Sequence, residues 1–149
     1  MHILPWDLTV IPSKFFLFAE AAQYTLQITF FGILVGLIIG LAAALGRLSK
    51  QQWLSSICRA YIFLIRGTPL LVQLFIVYYG LTSIVTIAPI PSAIIALGFH
   101  NGAYIAEIFR GSIQSIDIGQ MEAARSLGMP KAQAMQRIIL PQAFNRSVP

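Results

Sequence analysis

Few polar residues of this 149-residue chain stand inside its apolar stretches, and their types suit pairing and recognition better than bond making. Glu107 and Arg110 lie three apart, a spacing that sets opposite charges on one helical face, where each lowers the other's cost of burial. They are read as a structural ion pair. His100 and Asn101 fall nearer the middle of the same apolar run, and Gln73 in its first half. Polar groups at such depth cost free energy unless a partner or a water-filled cavity receives them. Gln73, His100 and Asn101 are therefore candidates to line a polar path through the molecule, and hydrogen bonding between helices would use the same groups equally well. The sequence has no nucleophile with an adjacent base, no paired catalytic carboxylates and no phosphate loop of the Gly-x4-Gly-Lys-Ser/Thr form. No catalytic residue, cofactor or metal site is expected, and the chain should not hydrolyse ATP. Cys58 is the only cysteine, so no internal disulfide can form, and no metal-ligand spacing accompanies it.

A second constellation runs from Asp117 to Pro141. Asp117 can cap a helix with Gln120 three residues on, satisfying amides that a helix start leaves unpaired. That helix would carry Glu122, Ala123 and Ala124 and stop at Gly128, which takes the left-handed conformation that closes helices. Pro130 suits the first position of a second helix, since its missing amide would have been unpaired there anyway. Met135, Ile138 and Ile139 give this helix an apolar side, and Leu140-Pro141 is expected to end it. The unit is a helix, a glycine elbow and a helix. Small Ala123 and Ala124 would let a partner backbone approach, Glu122 would offer a directional ionic contact, and Gly128 would fix the angle. An amphipathic hairpin lying on lipid headgroups would share the Arg and Lys content, but it has no need of the fixed spacing.

The elements that must position these groups follow from composition. With 57% hydrophobic and 10% charged residues, the chain is too apolar for a soluble domain of this size. No charged residue occurs from Ala21 to Gly46, and from Gly67 to Ala106 there is no Asp, Glu, Lys or Arg, only His100. One helical span needs about 20 apolar residues, so the first run holds one span and the second holds two. Ala88-Pro89-Ile90-Pro91 breaks the second run into a tight turn. The spacing predicts an all-α membrane protein with spans at about 24–45, 69–87 and 92–109, then the helix-Gly-helix loop at about 117–141. The Gly32, Gly36, Gly40 series allows close helix packing and marks an interface. The first 14 residues carry Asp7 and two prolines in place of a basic leader, so residues 1–20 are read as a retained external tail.

The net charge of +5 reports topology more than nucleic-acid binding. Before the first span one Lys stands against Asp7 and Glu20, whereas the loop after it holds Arg47, Lys50, Arg59 and Arg66 with no acid. The proline turn is uncharged, and the stretch from Arg110 adds Arg125, Lys131, Arg137 and Arg146. By the positive-inside rule the N-terminus lies outside and the loop from Asp117 lies in the cytoplasm.

The spacing Glu122-Ala123-Ala124, Gly128, Ile138-x-Leu140-Pro141 resembles the cytosolic coupling loop of permease subunits in ATP-binding-cassette importers. Arg66-Gly67-Thr68-Pro69-Leu70-Leu71-Val72-Gln73-Leu74, Tyr78-Tyr79-Gly80 and Ala103 to Gly111 are similar to the polar amino acid branch of that family. Two positions depart from it, His100 where an apolar residue is usual and Ile118 where a polar one is common. The resemblance implies a five-span bundle in the bacterial inner membrane, two permease subunits, identical or homologous, a cytosolic ATPase dimer that binds the ATP, and an external solute-binding protein. It assigns ATPase docking to Glu122, Ala123, Ala124, Gly128, Ile138, Leu140 and Pro141. Two further spans would normally follow the loop, so the chain is expected to be incomplete. A small oligomeric channel or scaffold built on the glycine-rich first span, or a non-functional truncated permease, is the alternative. Thr68 as a helix cap, Pro69 at the first helical position and Arg66 as an anchor would explain the Arg-Gly-Thr-Pro block on local grounds, beside a gating or assembly role implied by the resemblance.

Overall fold

The computed structural model describes residues 14–82 and 84–147. Residues 1–13 of the expected external tail, Ser83 of the expected second span, and Val148 and Pro149 lie outside them. Every regular element among the described residues is helical.

Helix α1 (Phe15–Arg47) runs 33 residues, starting within the stretch read as tail. Phe15 to Phe18 extend the apolar run past Glu20, whose carboxylate accepts a 3.4 Å hydrogen bond from Tyr24 one turn on. After a short reversal, Ser55 donates to the Arg47 carbonyl at 3.0 Å, and the basic stretch read as a loop forms helix α2 (Gln52–Arg66). Its apolar residues Leu54, Cys58, Tyr61, Ile62 and Ile65 recur every three or four positions, the period of a helix with one apolar face. The charge pattern had masked that period.

Helix α3 (Leu70–Phe75), continued by a π-helical turn at Ile76–Gly80, leaves α2 at a bend of 107°. Pro69 lacks an amide and keeps Thr68 out of helical geometry, so the helix cannot run through. The expected roles at this block are revised. The Thr68 hydroxyl donates back to Leu64 and Ile65 carbonyls at 3.0 and 3.3 Å, closing α2 instead of capping α3. Pro69 is extended (ψ 142°) and precedes the helix, which begins at Leu70.

Helix α4 (Pro89–Gln114) begins three residues before the expected start, because Pro89 and Pro91 both fall in the first turn, where helix amides need no internal partner. The proline pair thus starts a helix. Buried Ser92 bonds back to the Ala88 carbonyl at 3.0 Å.

Helix α1 packs along α4 through facing glycines. A Cβ on Gly36 would lie 3.3 Å from both the Gly98 carbonyl oxygen and the Gly102 amide nitrogen, and one on Gly40 would lie 3.0 Å from the Gly102 carbonyl oxygen. Backbone therefore meets backbone, and Ala43, Ala44, Ile62, Ala106 and Phe109 fill the space below. The large apolar side chains point outward, with Phe16 87%, Phe63 77% and Ile38 71% exposed, the arrangement of a protein whose surroundings are lipid or further helices. Among the described residues α1 alone is long and apolar enough to cross a bilayer by itself, and α2 with its bent continuation meets the same standard as a unit.

The chain then turns into α5 (Ile118–Ser126), α6 (Lys131–Ala134), a π-helical turn at Met135–Ile139, and α7 (Leu140–Ser147). Pro141 does not end the helix as expected. Its ring would strike the Arg137 carbonyl in a regular helix, and the widened turn, where the Leu140 amide bonds to Met135, absorbs that conflict so the helix continues.

Candidate docking and polar sites

The unit from Asp117 to Pro141 hangs from the ends of α1 and α4. Ile113 of α4 and Ile116 just beyond its end pack against Ile139 and Ala143, with Leu45, Leu48, Met121 and Met135 around them. Arg146 bonds the Ser115 hydroxyl at 3.3 Å and the Ser115 carbonyl, tying α7 to the end of α4. The Asp117 carboxylate caps α5 by accepting from the Gly119 amide at 2.7 Å, where a reciprocal pairing with Gln120 was expected.

The elbow has the two bonds of a Schellman stop. The Gly128 amide donates to the Arg125 carbonyl at 3.0 Å and the Met129 amide to the Ala124 carbonyl at 3.2 Å. Gly128 takes φ 82°, the only positive φ among the described residues, as its sequence position predicts. Glu122, Ala123 and Pro141 are exposed, and Ile138 and Leu140 are half-buried. Ala124 is 4% exposed and faces inward, so it packs within the unit and does not present a surface to a partner. Ile118, marked in the sequence only as a departure from the family pattern, and Leu127, not marked at all, are 73% and 81% exposed on the same unit. For Leu127 the available signal was a large apolar residue immediately before the elbow glycine.

At the bend between α2 and α3, the buried Gln73 amide nitrogen lies 2.8 Å from the Ile65 carbonyl, 3.1 Å from the Thr68 carbonyl and 2.8 Å from the Thr68 hydroxyl. Its oxygen accepts from His100 Nδ1 at 3.2 Å, which requires the proton on that nitrogen. Gln73 therefore joins the bend to α4. The His100 ring lies against Tyr104 (centroids 5.1 Å apart), and the Arg66 guanidinium stands 5.1 Å from the centroid of the same Tyr104 ring. Asn101 faces away from this group, its Cβ 3.1 Å from where a Gly36 Cβ would sit. The structure thus joins Gln73 with His100 and separates Asn101 from both.

Glu107 and Arg110 meet as their spacing suggests, with Arg110 nitrogens 3.0 and 3.2 Å from Glu107 Oε2. Arg47, from the end of α1, pairs with the other carboxylate oxygen, and Arg110 also reaches Gln114. One carboxylate therefore joins α1 to α4. Arg47 was read for its charge alone; that it stands opposite Glu107 depends on the register of α1 against α4, which the glycines set. Tyr61, also unmarked in the sequence, donates to the Phe99 carbonyl at 2.7 Å and links α2 to α4.

The profile of the family described as "Binding-protein-dependent transport system inner membrane component" matches residues 32–149. The L-cystine transport system permease protein TcyB of Bacillus subtilis is 44% identical over 147 residues, covering 98% of this chain and 62% of its own length. The nopaline transport system permease protein NocM of Agrobacterium fabrum is 37% identical over 154 residues, covering 96% of this chain and 64% of its own. A crystal structure of an amino acid ABC transporter with histidines superposes with a TM-score of 0.85 at 39% identity, over 98% of this chain and 69% of the other. The chain spans less than two thirds of the length of these two permease relatives.

Proposed function

Because the chain belongs to the family of binding-protein-dependent transport system inner membrane components, we propose that it is a permease subunit of an importer that moves polar amino acids across a bacterial inner membrane. Relatives named for cystine and nopaline transport support the solute class. Coupling runs through the unit from Asp117 to Pro141, which seats on a separate cytosolic ATPase dimer. A second permease subunit completes the path, an external solute-binding protein delivers the cargo, and the N-terminus lies outside. The observation that carries this reading is the Schellman elbow at Gly128, which holds exposed Glu122, Ala123 and Leu127 on a short helix anchored to the ends of α1 and α4. Such a unit transmits movement of a partner to the long helices as a lever. The scaffold alternative loses its main support, since Gly36 and Gly40 are already used against Gly98 and Gly102 within the chain.

Co-purification with the cognate ATPase, from membranes that contain the complete permease, tests the reading. A Cβ at Gly128 would meet nothing within 4 Å, so Gly128→Val acts through backbone strain alone, a β-branched residue being an outlier at positive φ. Capture by wild type and its loss in Gly128→Val and Glu122→Lys is expected. Equal capture by all three would place the contact elsewhere, and no capture by wild type would remove the coupling claim.

A further inference from the structure

Between α1, α2 and α4 lies a cavity of about 460 Å³ whose walls include Arg47, Arg59 and Arg66, with Tyr104, Glu107 and Phe63. Its charges do not balance. Glu107 is the one carboxylate in it and is engaged by Arg47 on one oxygen and by Arg110 on the other. Among the described residues neither Arg59 nor Arg66 has a carboxylate partner. Arg59 and Arg66 are seven residues apart, two turns along α2, which places them on one helical face with Ile62 between them. The Tyr104 ring holds the Arg66 guanidinium in place at 5.1 Å.

Arg59 and Arg66 are exposed, and guanidiniums without an acidic partner near a membrane surface attract anions. Arginine forks match the oxygens of phosphate in paired hydrogen bonds. The cavity is roomier than a lone carboxylate requires, and Phe63 gives one wall an apolar surface suited to the carbon part of a phosphate ester. We infer that this cavity is a phosphate site, with Arg59 and Arg66 as the binding residues, Tyr104 positioning Arg66, and the Arg47–Glu107–Arg110 group closing its floor. The phosphate comes either from the headgroup of an anionic phospholipid or from free inorganic phosphate. This assignment does not rest on coupling to an ATPase.

The complete protein is placed in nanodiscs of phosphatidylcholine with one tenth phosphatidylglycerol, and the lipids retained on it are read by native mass spectrometry. In a parallel arm, discs of phosphatidylcholine alone receive inorganic phosphate, and the melting temperature is compared with that in chloride of equal ionic strength. Retention of phosphatidylglycerol identifies the lipid as the source, and a phosphate-specific rise in melting temperature identifies the free anion. Either signal should weaken about tenfold or more in Arg59→Gln/Arg66→Gln, from the loss of charge-assisted hydrogen bonds, and less in Tyr104→Leu. Lys131→Gln/Arg137→Gln removes equal charge from positions that are likewise exposed but do not line the cavity, and should leave both signals in place. Absence of both signals in wild type, or equal loss in the two double variants, would overturn the assignment. Circular dichroism of each variant separates such loss from unfolding, and ATPase capture by the same samples reports independently on the coupling reading.

Discussion

At Glu107 a single carboxylate faces two guanidiniums, Arg47 from α1 and Arg110 from α4, and its side chain is only 20% exposed. Glu107→Gln keeps the shape and removes the charge, so two cations are left facing each other across a half-buried contact. Thermal unfolding in detergent should register a loss of about 1–3 kcal/mol, and much of it should return in Arg47→Gln/Glu107→Gln, which takes away one of the stranded cations. A change in Glu107→Gln no greater than that of an exposed substitution would mean that the group does not hold α1 to α4. The Gln73–His100 contact makes a second claim at this scale, about rank. Gln73 serves three acceptors at the bend as well as His100, while the described bond of the His100 side chain runs only to Gln73. Gln73→Leu should therefore lower stability more than His100→Phe, by about 1 kcal/mol; the reverse order in melting temperature would show that His100 has the larger structural share.

The two glycines Gly40 and Gly111 give predictions of opposite sign at the level of elements. A Cβ on Gly40 would stand 2.6 Å from Ile105 Cγ2 and 3.0 Å from the Gly102 oxygen, whereas one on Gly111 would meet nothing within 4 Å. Gly40→Leu should push α1 off α4 at about 1–3 kcal/mol, while Gly111→Ala should raise stability by up to about 1 kcal/mol through helix propensity. Equal effects on melting temperature would refute close packing of the two backbones. The same contrast explains what could be read in advance. Gly32, Gly36 and Gly40 declare an interface because their spacing is a property of one helix, and Gly128 declares an elbow because its neighbours already define a helix stop. Helix α2 was not legible because its short apolar period lies among four basic residues between two much longer apolar runs. The π turn before Pro141 was not legible either: a proline signals a helix end equally well whether the chain stops or widens around it. Which way Ala124 faces depends on packing against the rest of the unit, and no local pattern carries that.

For the whole molecule the decisive quantity is the side of the membrane on which each end lies. Arg47, Arg110, Arg125, Lys131 and Arg137 gather at the end that carries the elbow, and the turn between Leu81 and Ala88 has no charge. Translocating that basic end would be disfavoured, so the uncharged turn should lie outside and the elbow in the cytoplasm. Cys58 is the only cysteine of this sequence, half-buried beside Gly46, and Ser is small enough to replace it there. On that background Thr86→Cys and Ser126→Cys place one thiol at each end, both at exposed positions. In intact cells a membrane-impermeant maleimide should label the thiol at position 86 and should reach that at 126 only after permeabilisation. The opposite pattern would set the elbow outside, beyond the reach of any cytosolic ATPase, and would remove the coupling reading even if every residue of the elbow were placed as described. Labelling as expected would leave the Gly128 elbow where a cytosolic partner can grip it, and would put the Arg59 and Arg66 cavity on the side of α2 nearer the cytoplasmic leaflet, which is where an anionic headgroup would reach it.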